Sequence, residues 1–457
     1  MESGGPGPGP VAPAGELRRA IGFWGAVAIL VGSTIGSGIF RAPYSISLQV
    51  QDPRLILALW VAFGVISLCG ALTLAELASM MPKTGGTYVY LRAAYGEPAA
   101  FVFGWLYLLA AIPSGMGALG AAFGDTLAGF LPGKPPDAFV PAVAITCVVV
   151  LSTVNILGVR SGSTVQNVFT GAKVAALLFV MGTILVCGVR WTMGVERPLS
   201  ATGPVGIAAA VALVMFTYNG WVYVALVAGE VESAERRIRK VIIVGILTVI
   251  ALYVGANVAY LSFMDVDAMA RSEDKIIPRA IVKILLGPGA ATAVGICVLA
   301  SILGSLNGVI LTKSRVAFAL ARDGLSFAPL GKCHARWATP YVSIIAQGVA
   351  AMALICWLRS FDKLISYFVL VEWLALVFAI GAVFVLRSQM PDVPRPFRTP
   401  GYPWVPLVFV VGTTLALGAI VWGKLSSGDR SPLVGLGIIA AGFPVYWIWR
   451  RSASRVR

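Results

Sequence analysis

Charged residues and histidine are scarce in this chain of 457 residues. Asp, Glu, Lys and Arg together make up 12% of it, His334 is the one histidine, and 58% of the residues are hydrophobic. Because soluble proteins carry about 25% charged residues, this composition excludes a soluble globular protein. A single histidine also excludes a proton relay built from histidines. The scarcity of charge indicates a protein that crosses a membrane many times.

The six cysteines follow neither a metal-binding nor a disulfide pattern, and five of them fall within apolar runs. The chain also lacks a Ser/His/Asp set, a cluster of metal ligands and a phosphate-binding glycine loop. We therefore expect no enzyme, no metal and no other cofactor. The net charge of +15 comes from short basic clusters between apolar runs. Since no basic face or RNA-binding motif accompanies them, we expect no nucleic-acid partner.

Long apolar runs recur along the sequence and predict its membrane spans. A spanning helix needs about 20 apolar residues, and about twelve runs reach that length. They lie near residues 21–48, 54–81, 98–131, 139–158, 164–188, 205–230, 240–263, 288–321, 341–358, 363–387, 403–423 and 431–449. We therefore expect most of the chain to lie within a lipid bilayer.

The basic residues between the spans indicate an orientation. If the N-terminus is cytoplasmic, the loops on that side hold more Lys and Arg than the outer loops, as the positive-inside rule requires. The two densest clusters, 236–240 and 450–457, both fall inside. We therefore expect a multi-pass protein of the cell membrane with both termini in the cytoplasm.

Two predicted spans are interrupted by helix-breaking residues. The first contains Gly32-Ser33-Thr34-Ile35-Gly36-Ser37-Gly38, and the sixth contains Phe216-Thr217-Tyr218-Asn219-Gly220-Trp221. Each glycine costs about 1 kcal/mol relative to alanine in a helix interior. In lipid, an opened backbone is tolerated only where it is buried in protein or lines a cavity. Paired broken helices in two halves of a chain point to the binding site of a transporter.

The broken spans open two groups of five spans. An odd number of spans per group inverts the second group relative to the first. The sequence thus predicts an all-α polytopic membrane protein with a 5+5 inverted repeat and two extra C-terminal helices. The predicted parts are a disordered Gly/Pro-rich tail 1–15, a first repeat 16–190, a second repeat 200–388, two spans over 400–450 and a cytoplasmic tail 451–457.

Four motifs resemble those of the amino acid–polyamine–organocation superfamily, in particular its L-type amino acid transporter branch. They are the two breaks, the loop segment 81–88 with Gly96-Glu97, and the segment 301–308 running on to Ala321-Arg322-Asp323-Gly324. The resemblance covers roughly residues 16 to 450. It implies an amino acid carrier that works by alternating access.

One departure from the animal members of this branch concerns their partner. Those members carry a cysteine in the loop after the third helix, disulfide-linked to a glycoprotein heavy chain. The matching loop here, 131–138, contains no cysteine. We therefore expect no disulfide-linked heavy chain, and the chain resembles a prokaryotic member that acts alone.

The backbone of the first break suits the two charged ends of an amino acid. Unwinding exposes the N–H groups of Gly36, Ser37 and Gly38 next to a half-helix N-terminus, which favours a carboxylate. The carbonyl groups that precede them, up to Ile35, suit an ammonium group. Close packing of small residues between helices is the alternative explanation of the same sequence.

In the second break, Phe216 matches the bulky aromatic residue that covers the substrate in the resembling family. Thr217, Tyr218 and Asn219 would then offer carbonyl groups to the ammonium and a wall to the substrate side chain. Some relatives that take cationic amino acids have aspartate at the position of Asn219. Because asparagine supplies no countercharge, we expect neutral amino acids. The expected partners are small neutral amino acids, with mid-sized ones as further candidates. Ordinary core packing is the alternative for Phe216 and for Trp221.

Lys173 lies inside the apolar run of the fifth span, and an ionisable residue there indicates a function by default. The resemblance implies that its ammonium takes the place of the sodium ion of sodium-coupled relatives and bridges the first and eighth helices. Snorkelling toward the cytoplasmic face is the alternative. The leading interpretation is therefore a sodium-independent transporter of neutral L-amino acids that works as an exchanger.

Several points stay open at this stage. A proton carried by Lys173 would make the protein a proton-coupled symporter, and a cationic amino acid or polyamine antiporter and a non-transporting amino acid sensor are further alternatives. Lys313 and Arg315 are expected to snorkel, and Asn307 is expected to hydrogen-bond between helices. Glu76 and Glu372 are either partnered structural carboxylates or transport residues.

Overall fold

The computed structural model describes residues 17, 19–133, 135–189, 203–358 and 361–454, and most of these residues are in helices. The predicted tail 1–15 and the last residues of the predicted C-terminal tail lie outside this part. The helices of the first half are α1 (Phe23–Thr34), α2 (Gly38–Ser47), α3 (Pro53–Met80), α4 (Thr87–Leu106), α5 (Ile112–Ala128), α6 (Phe139–Ile156) and α7 (Val159–Cys187).

The second half continues in the same way. Its helices are α8 (Pro204–Tyr218), α9 (Tyr223–Leu226), α10 (Ala234–Phe263), α11 (Val266–Ala270), α12 (Ile277–Leu286), α13 (Pro288–Arg322), α14 (Tyr341–Leu358), α15 (Phe361–Gln389), α16 (Trp404–Ser426) and α17 (Ser431–Ser454). Short 3₁₀-helices follow α9 and α13, at Ala228–Glu230 and Ala328–Gly331. The helices α11 and α12, between the seventh and eighth spans, were not predicted from the sequence.

The predicted all-α polytopic fold is confirmed. Ten helical stretches among the described residues are long and apolar enough to cross a membrane. The sixth predicted span corresponds to α8, of 15 residues, together with the short helices after it. The twelfth corresponds to α17. A broken helix opens each group of five spans, and α16 and α17 follow the second group.

The breaks have the backbone that their sequences predict. α1 ends at Thr34, Ile35 is extended (φ −75°, ψ 91°), and α2 begins at Gly38. α8 ends at Tyr218, and Gly220 has φ +125°. Only glycine adopts that conformation readily. A Cβ on Gly220 would also lie 2.7 Å from the Cα of Thr34, so the two breaks pack directly against each other.

The third span is a long, irregular helix. α4 kinks at Gly96 (φ 82°), and a π-helix over Tyr107–Ala111 joins it to α5. A π-bulge rotates the residues after it and is often found at functional sites. Here it lies where α4 and α5 pack against α15.

α13 runs through the centre of the bundle and packs against α1, α5, α7 and α12. α10 packs against α1 and α3, while α16 packs against α3, α8 and α15. The two breaks therefore lie between α13 on one side and α10 on the other. This arrangement buries the opened backbone in protein, as lipid requires.

The two ends of the bundle differ. We call the end at which α1 begins the inner end and the opposite one the outer end. At the inner end, Glu76 accepts hydrogen bonds from Arg387 at 2.9 and 2.7 Å and from Thr399 at 2.7 Å. Arg92 pairs with Asp323 at 2.6 Å. These contacts tie α3, α4, α13 and α15 together at that end.

The outer end contains a crevice of about 720 Å³ between α2, α5, α8, α15 and α16. Its lining combines apolar residues with charged residues of both signs. Arg41 is paired to Asp125 at 3.3 Å and Lys424 to Asp429 at 2.8 Å. Both ends of the bundle thus carry ion pairs, and the outer end is also indented by the crevice.

Candidate functional site

A small cavity lies where the two breaks meet. Its volume is about 30 Å³. A single water molecule needs roughly 10–15 Å³, so the cavity is too small to hold an amino acid. Its lining residues are Ser33, Thr34, Gly36, Ser37, Gly38, Gly115, Leu119, Phe216, Thr217, Asn219, Tyr223, Ser305, Val309 and Phe368. Of the predicted substrate-binding residues, six are in this lining: Gly36, Ser37, Gly38, Phe216, Thr217 and Asn219.

The other two predicted residues, Ile35 and Tyr218, are placed differently. The carbonyl of Ile35 accepts hydrogen bonds from Lys173 at 2.6 Å and from Ser305 at 2.9 Å. The hydroxyl of Tyr218 donates to the carbonyl of Trp60 at 3.0 Å, away from the cavity. Both groups bond within the protein. The break places the carbonyl of Ile35 against α13, and α8 turns the hydroxyl of Tyr218 toward α3.

Tyr253 of α10 joins the two breaks and was missed in the sequence analysis. Its buried hydroxyl lies 2.7 Å from the carbonyl of Thr34 and 3.1 Å from that of Thr217. Both carbonyls had been predicted to face an ammonium group. A tyrosine within an apolar helix gives no sequence signal of this role, since its partners lie on two other spans.

The cavity wall carries polar groups without a partner among the described residues. They are the hydroxyls of Ser33 and Ser37 and the amide nitrogen of Asn219, all buried. A buried polar group that makes no hydrogen bond costs about 1–3 kcal/mol. At the same place, the first N–H groups of α2 lack partners within their own helix, as at every helix start. The wall therefore has a surplus of donors and suits a ligand with oxygen acceptors.

Glycines bring these walls together. A Cβ on Gly36 would lie 3.1 Å from the Oγ of Ser305, and one on Gly38 would collide with the side chain of Thr217. Gly38 is therefore needed for the close approach of the two breaks, and Gly36 allows the first break to pack tightly against α13. The small-residue packing suggested as an alternative and the cavity occur at the same residues.

Lys173 of α7 is fully buried and holds the first break to α13. Its Nζ donates to the carbonyls of Gly32 at 2.7 Å and Ile35 at 2.6 Å, and to the Oγ of Ser305 at 3.1 Å. An ammonium has three donors, so this set uses all of them. Close approach is possible because a Cβ on Gly304 would lie 3.3 Å from the Nζ. The snorkelling alternative is wrong for this residue.

The expectation that Lys313 and Arg315 snorkel is also wrong, since both are fully buried. Arg315 makes a two-pronged pair with Glu230, at 2.7 and 2.9 Å, and Lys313 pairs with Glu372 at 2.8 Å. Their partners lie on other spans, which removes the reason to reach the membrane surface. Glu230, at the end of the sixth predicted span, is also fully buried.

The interhelical role expected for Asn307 is confirmed, because its Oδ1 accepts from the amide nitrogen of Asn155 on α6 at 2.8 Å. Trp221 packs edge-on against Phe409, with ring centroids 6.0 Å apart. That contact confirms the packing alternative for Trp221.

Phe216 lies between the cavity and the outer crevice. Its ring meets that of Phe368 edge-on at 5.7 Å between centroids. The crevice residues Leu213 and Ile365 precede these two by about one helical turn on the same helices. The aromatic pair thus separates the crevice from the cavity.

The sequence comparisons agree with this architecture. The family model of the amino acid permeases matches residues 21–443. The serine/threonine exchanger SteT of Bacillus subtilis is 32% identical over 446 residues, which cover 96% of this chain and 98% of SteT. The human b(0,+)-type amino acid transporter 1 is 31% identical over 84% of this chain and 79% of its own length.

A third relative is the large neutral amino acids transporter small subunit 2 of Rattus norvegicus, 29% identical over 94% of this chain and 81% of its own length. The family match includes both breaks, Lys173 and the helices that surround the cavity. The sequence match and the broken-helix architecture together show that the chain belongs to the amino acid permease family.

Proposed function

We propose that the protein is a sodium-independent exchanger of small neutral L-amino acids in the cell membrane, with both termini in the cytoplasm. The observation that carries this proposal is the position of the Lys173 ammonium between the carbonyls of the first break and Ser305 of α13. A fixed cation at that point leaves no need for a bound sodium ion. The names of two relatives, a serine/threonine exchanger and a large neutral amino acids transporter, support exchange and neutral substrates.

The carboxylate of the substrate would bind the N–H groups of Gly36, Ser37 and Gly38 at the start of α2. The ammonium would bind carbonyl oxygens along the second break, on the side opposite Tyr253. Because Asn219 lines the cavity without a negative charge, a cationic side chain would find no counterion there.

Alternating access would use the difference between the two ends of the bundle. A substrate would enter by the outer crevice and pass Phe216 and Phe368, which must separate for it to enter the cavity. Release would require the inner contacts of Arg315 with Glu230 and of Arg92 with Asp323 to open. The narrowness of the cavity supports a movement of the breaks during each cycle.

The proposal is tested with purified protein in liposomes and radiolabelled alanine, serine and leucine. We expect uptake to depend on amino acid inside the vesicles and to persist when choline replaces sodium. Methyl esters and N-acylated amino acids should fail to compete, since each loses one of the two charged ends. Strict sodium dependence would contradict the role of Lys173. Uptake into empty vesicles driven by a pH gradient would favour a proton-coupled symporter instead.

A further inference from the structure

A second buried lysine, Lys313, lies about two helical turns inward from Ser305 on α13. Its Nζ is 2.8 Å from the Oε2 of Glu372 on α15. The other carboxylate oxygen of Glu372 accepts from the hydroxyl of Tyr107, in the π-helix, at 2.7 Å. Both oxygens of the carboxylate are therefore engaged, and the pair is anchored on three separate elements.

The ammonium of Lys313 is surrounded by aromatic rings. Its Nζ lies 4.9, 4.7 and 4.8 Å from the ring centroids of Tyr107, Tyr223 and Phe368. A cation in this position attracts the faces of the rings and holds their orientation. Two of the three, Tyr223 and Phe368, line the cavity. The pair thus stands directly behind one wall of the candidate binding site.

Tyr223 connects the Lys313–Glu372 pair to Asn219. Its hydroxyl donates to the Oδ1 of Asn219 at 2.5 Å. The hydroxyl of Tyr223 thus fixes the oxygen side of the amide. The Nδ2 of Asn219 is buried without a partner among the described residues, which leaves it as an uncommitted donor. Since Asn219 lines the cavity, the group available to a substrate is a hydrogen-bond donor.

We propose that the Lys313–Glu372 pair sets the side-chain selectivity of the transporter by holding Tyr223, which turns the amide nitrogen of Asn219 toward the substrate. The favoured substrates are then small amino acids with a hydroxyl oxygen in the side chain, over analogues of the same shape without one. A valine or alanine would leave the amide nitrogen unpaired. Lys313 and Glu372 are positioning residues in this scheme, because they act through Tyr223 and Asn219. The inference rests on the proposed transport of neutral amino acids.

The test compares threonine with valine, and serine with alanine, as competitors of radiolabelled substrate uptake in liposomes. In the wild type, threonine should compete about tenfold more strongly than valine, the effect of one buried hydrogen bond. Tyr223→Phe removes the donor that orients Asn219 and should reduce this ratio to less than about threefold. Tyr260→Phe is the matched control, because Tyr260 is a buried tyrosine whose hydroxyl has no partner among the described residues. It should keep the wild-type ratio.

The pair itself is tested by replacing both charges together, in Lys313→Leu/Glu372→Leu. This variant should lose the threonine preference as Tyr223→Phe does, and thermal unfolding in detergent is measured beside it to separate selectivity from stability. If Tyr223→Phe transports with an unchanged ratio, the proposal is overturned, whether or not the double variant can be purified. A wild type that transports valine and threonine equally also overturns it while leaving the proposed function intact. A wild type that transports no amino acid overturns the proposed function.

Discussion

The two buried lysines, Lys173 and Lys313, each contact residues that line the cavity, and they are held in different ways. Lys173 donates to two backbone carbonyls and one hydroxyl, all of them neutral. Lys313 donates to the carboxylate of Glu372 and faces three aromatic rings. The two carbonyl acceptors of Lys173 are available because α1 is broken, whereas the carboxylate acceptor of Lys313 belongs to the continuous helix α15.

This difference suggests different roles. The geometry around Lys173 changes whenever the first break changes its backbone, so the ammonium is coupled to the part of the chain that binds substrate. Lys313 and Glu372 neutralise each other, and their position depends on helix packing. Lys173 would act as a bound cation does, and Lys313 would support a wall of the candidate site.

Lys173→Ala should have the largest effect on transport. It removes three hydrogen bonds from a charged donor, each worth about 1.5–3 kcal/mol. The loss of two of these hydrogen bonds already corresponds to a decrease of roughly 100-fold or more in a binding constant. Uptake by liposomes should fall by at least that factor while the variant still inserts. Lys283→Ala, which removes an exposed lysine from α12, is the control. Normal uptake by Lys173→Ala would remove the distinction between the two lysines.

The Lys313 site should behave as a unit in stability measurements. Glu372→Leu alone leaves a buried ammonium unpaired, which costs about 3–5 kcal/mol. Lys313→Leu/Glu372→Leu removes both charges and should recover most of that loss, since apolar residues often replace a buried pair without penalty. Thermal unfolding in detergent measures both. A double variant as unstable as the single one would show that the pair does more than compensate charge.

The sequence was sufficient for the features that depend on local chemistry. The glycines of the two breaks, the apolar runs and the charge of Lys173 in the middle of one of them all have local signatures. The fold and most of the cavity lining follow from these signatures, through the restrictions that lipid places on an open backbone.

What the sequence could not predict depends on partners far apart in the chain. Lys313 and Glu372 are 59 residues apart, and Glu76 and Arg387 are 311 residues apart. Each looks unpaired in sequence, so snorkelling was a reasonable but wrong expectation for Lys313. The bridging role of Tyr253 was missed for the same reason.

Asn219→Asp should alter charge selectivity, with a smaller effect than either lysine variant. A carboxylate at this position would supply the countercharge that the cavity lacks. The competition by lysine or arginine relative to alanine should then rise about tenfold. Asn167→Asp, at an exposed position of α7, makes the same chemical change away from the site. An unchanged order of competitors in a folded Asn219→Asp protein would show that Asn219 does not contact the substrate side chain.

Ser305→Ala should have the smallest effect of the four and sharpens the contrast between the lysines. The Oγ of Ser305 lies 3.0 and 2.9 Å from the carbonyls of Gly32 and Ile35, the same two that Lys173 holds. Ser305→Ala removes one neutral hydrogen bond to these carbonyls, about 1 kcal/mol, and also the third and longest acceptor of the Lys173 ammonium, at 3.1 Å. Because the ammonium keeps both carbonyls, uptake should fall only a few-fold.

The control for Ser305→Ala is Thr312→Val, which removes a buried hydroxyl that bonds within α13 to the carbonyl of Gly308. It should leave uptake near the wild-type rate. If Ser305→Ala were as damaging as Lys173→Ala, the hydroxyl and not the ammonium would hold the first break to α13. The resemblance of Lys173 to a bound cation would then be lost, and the two lysines would differ only in their partners.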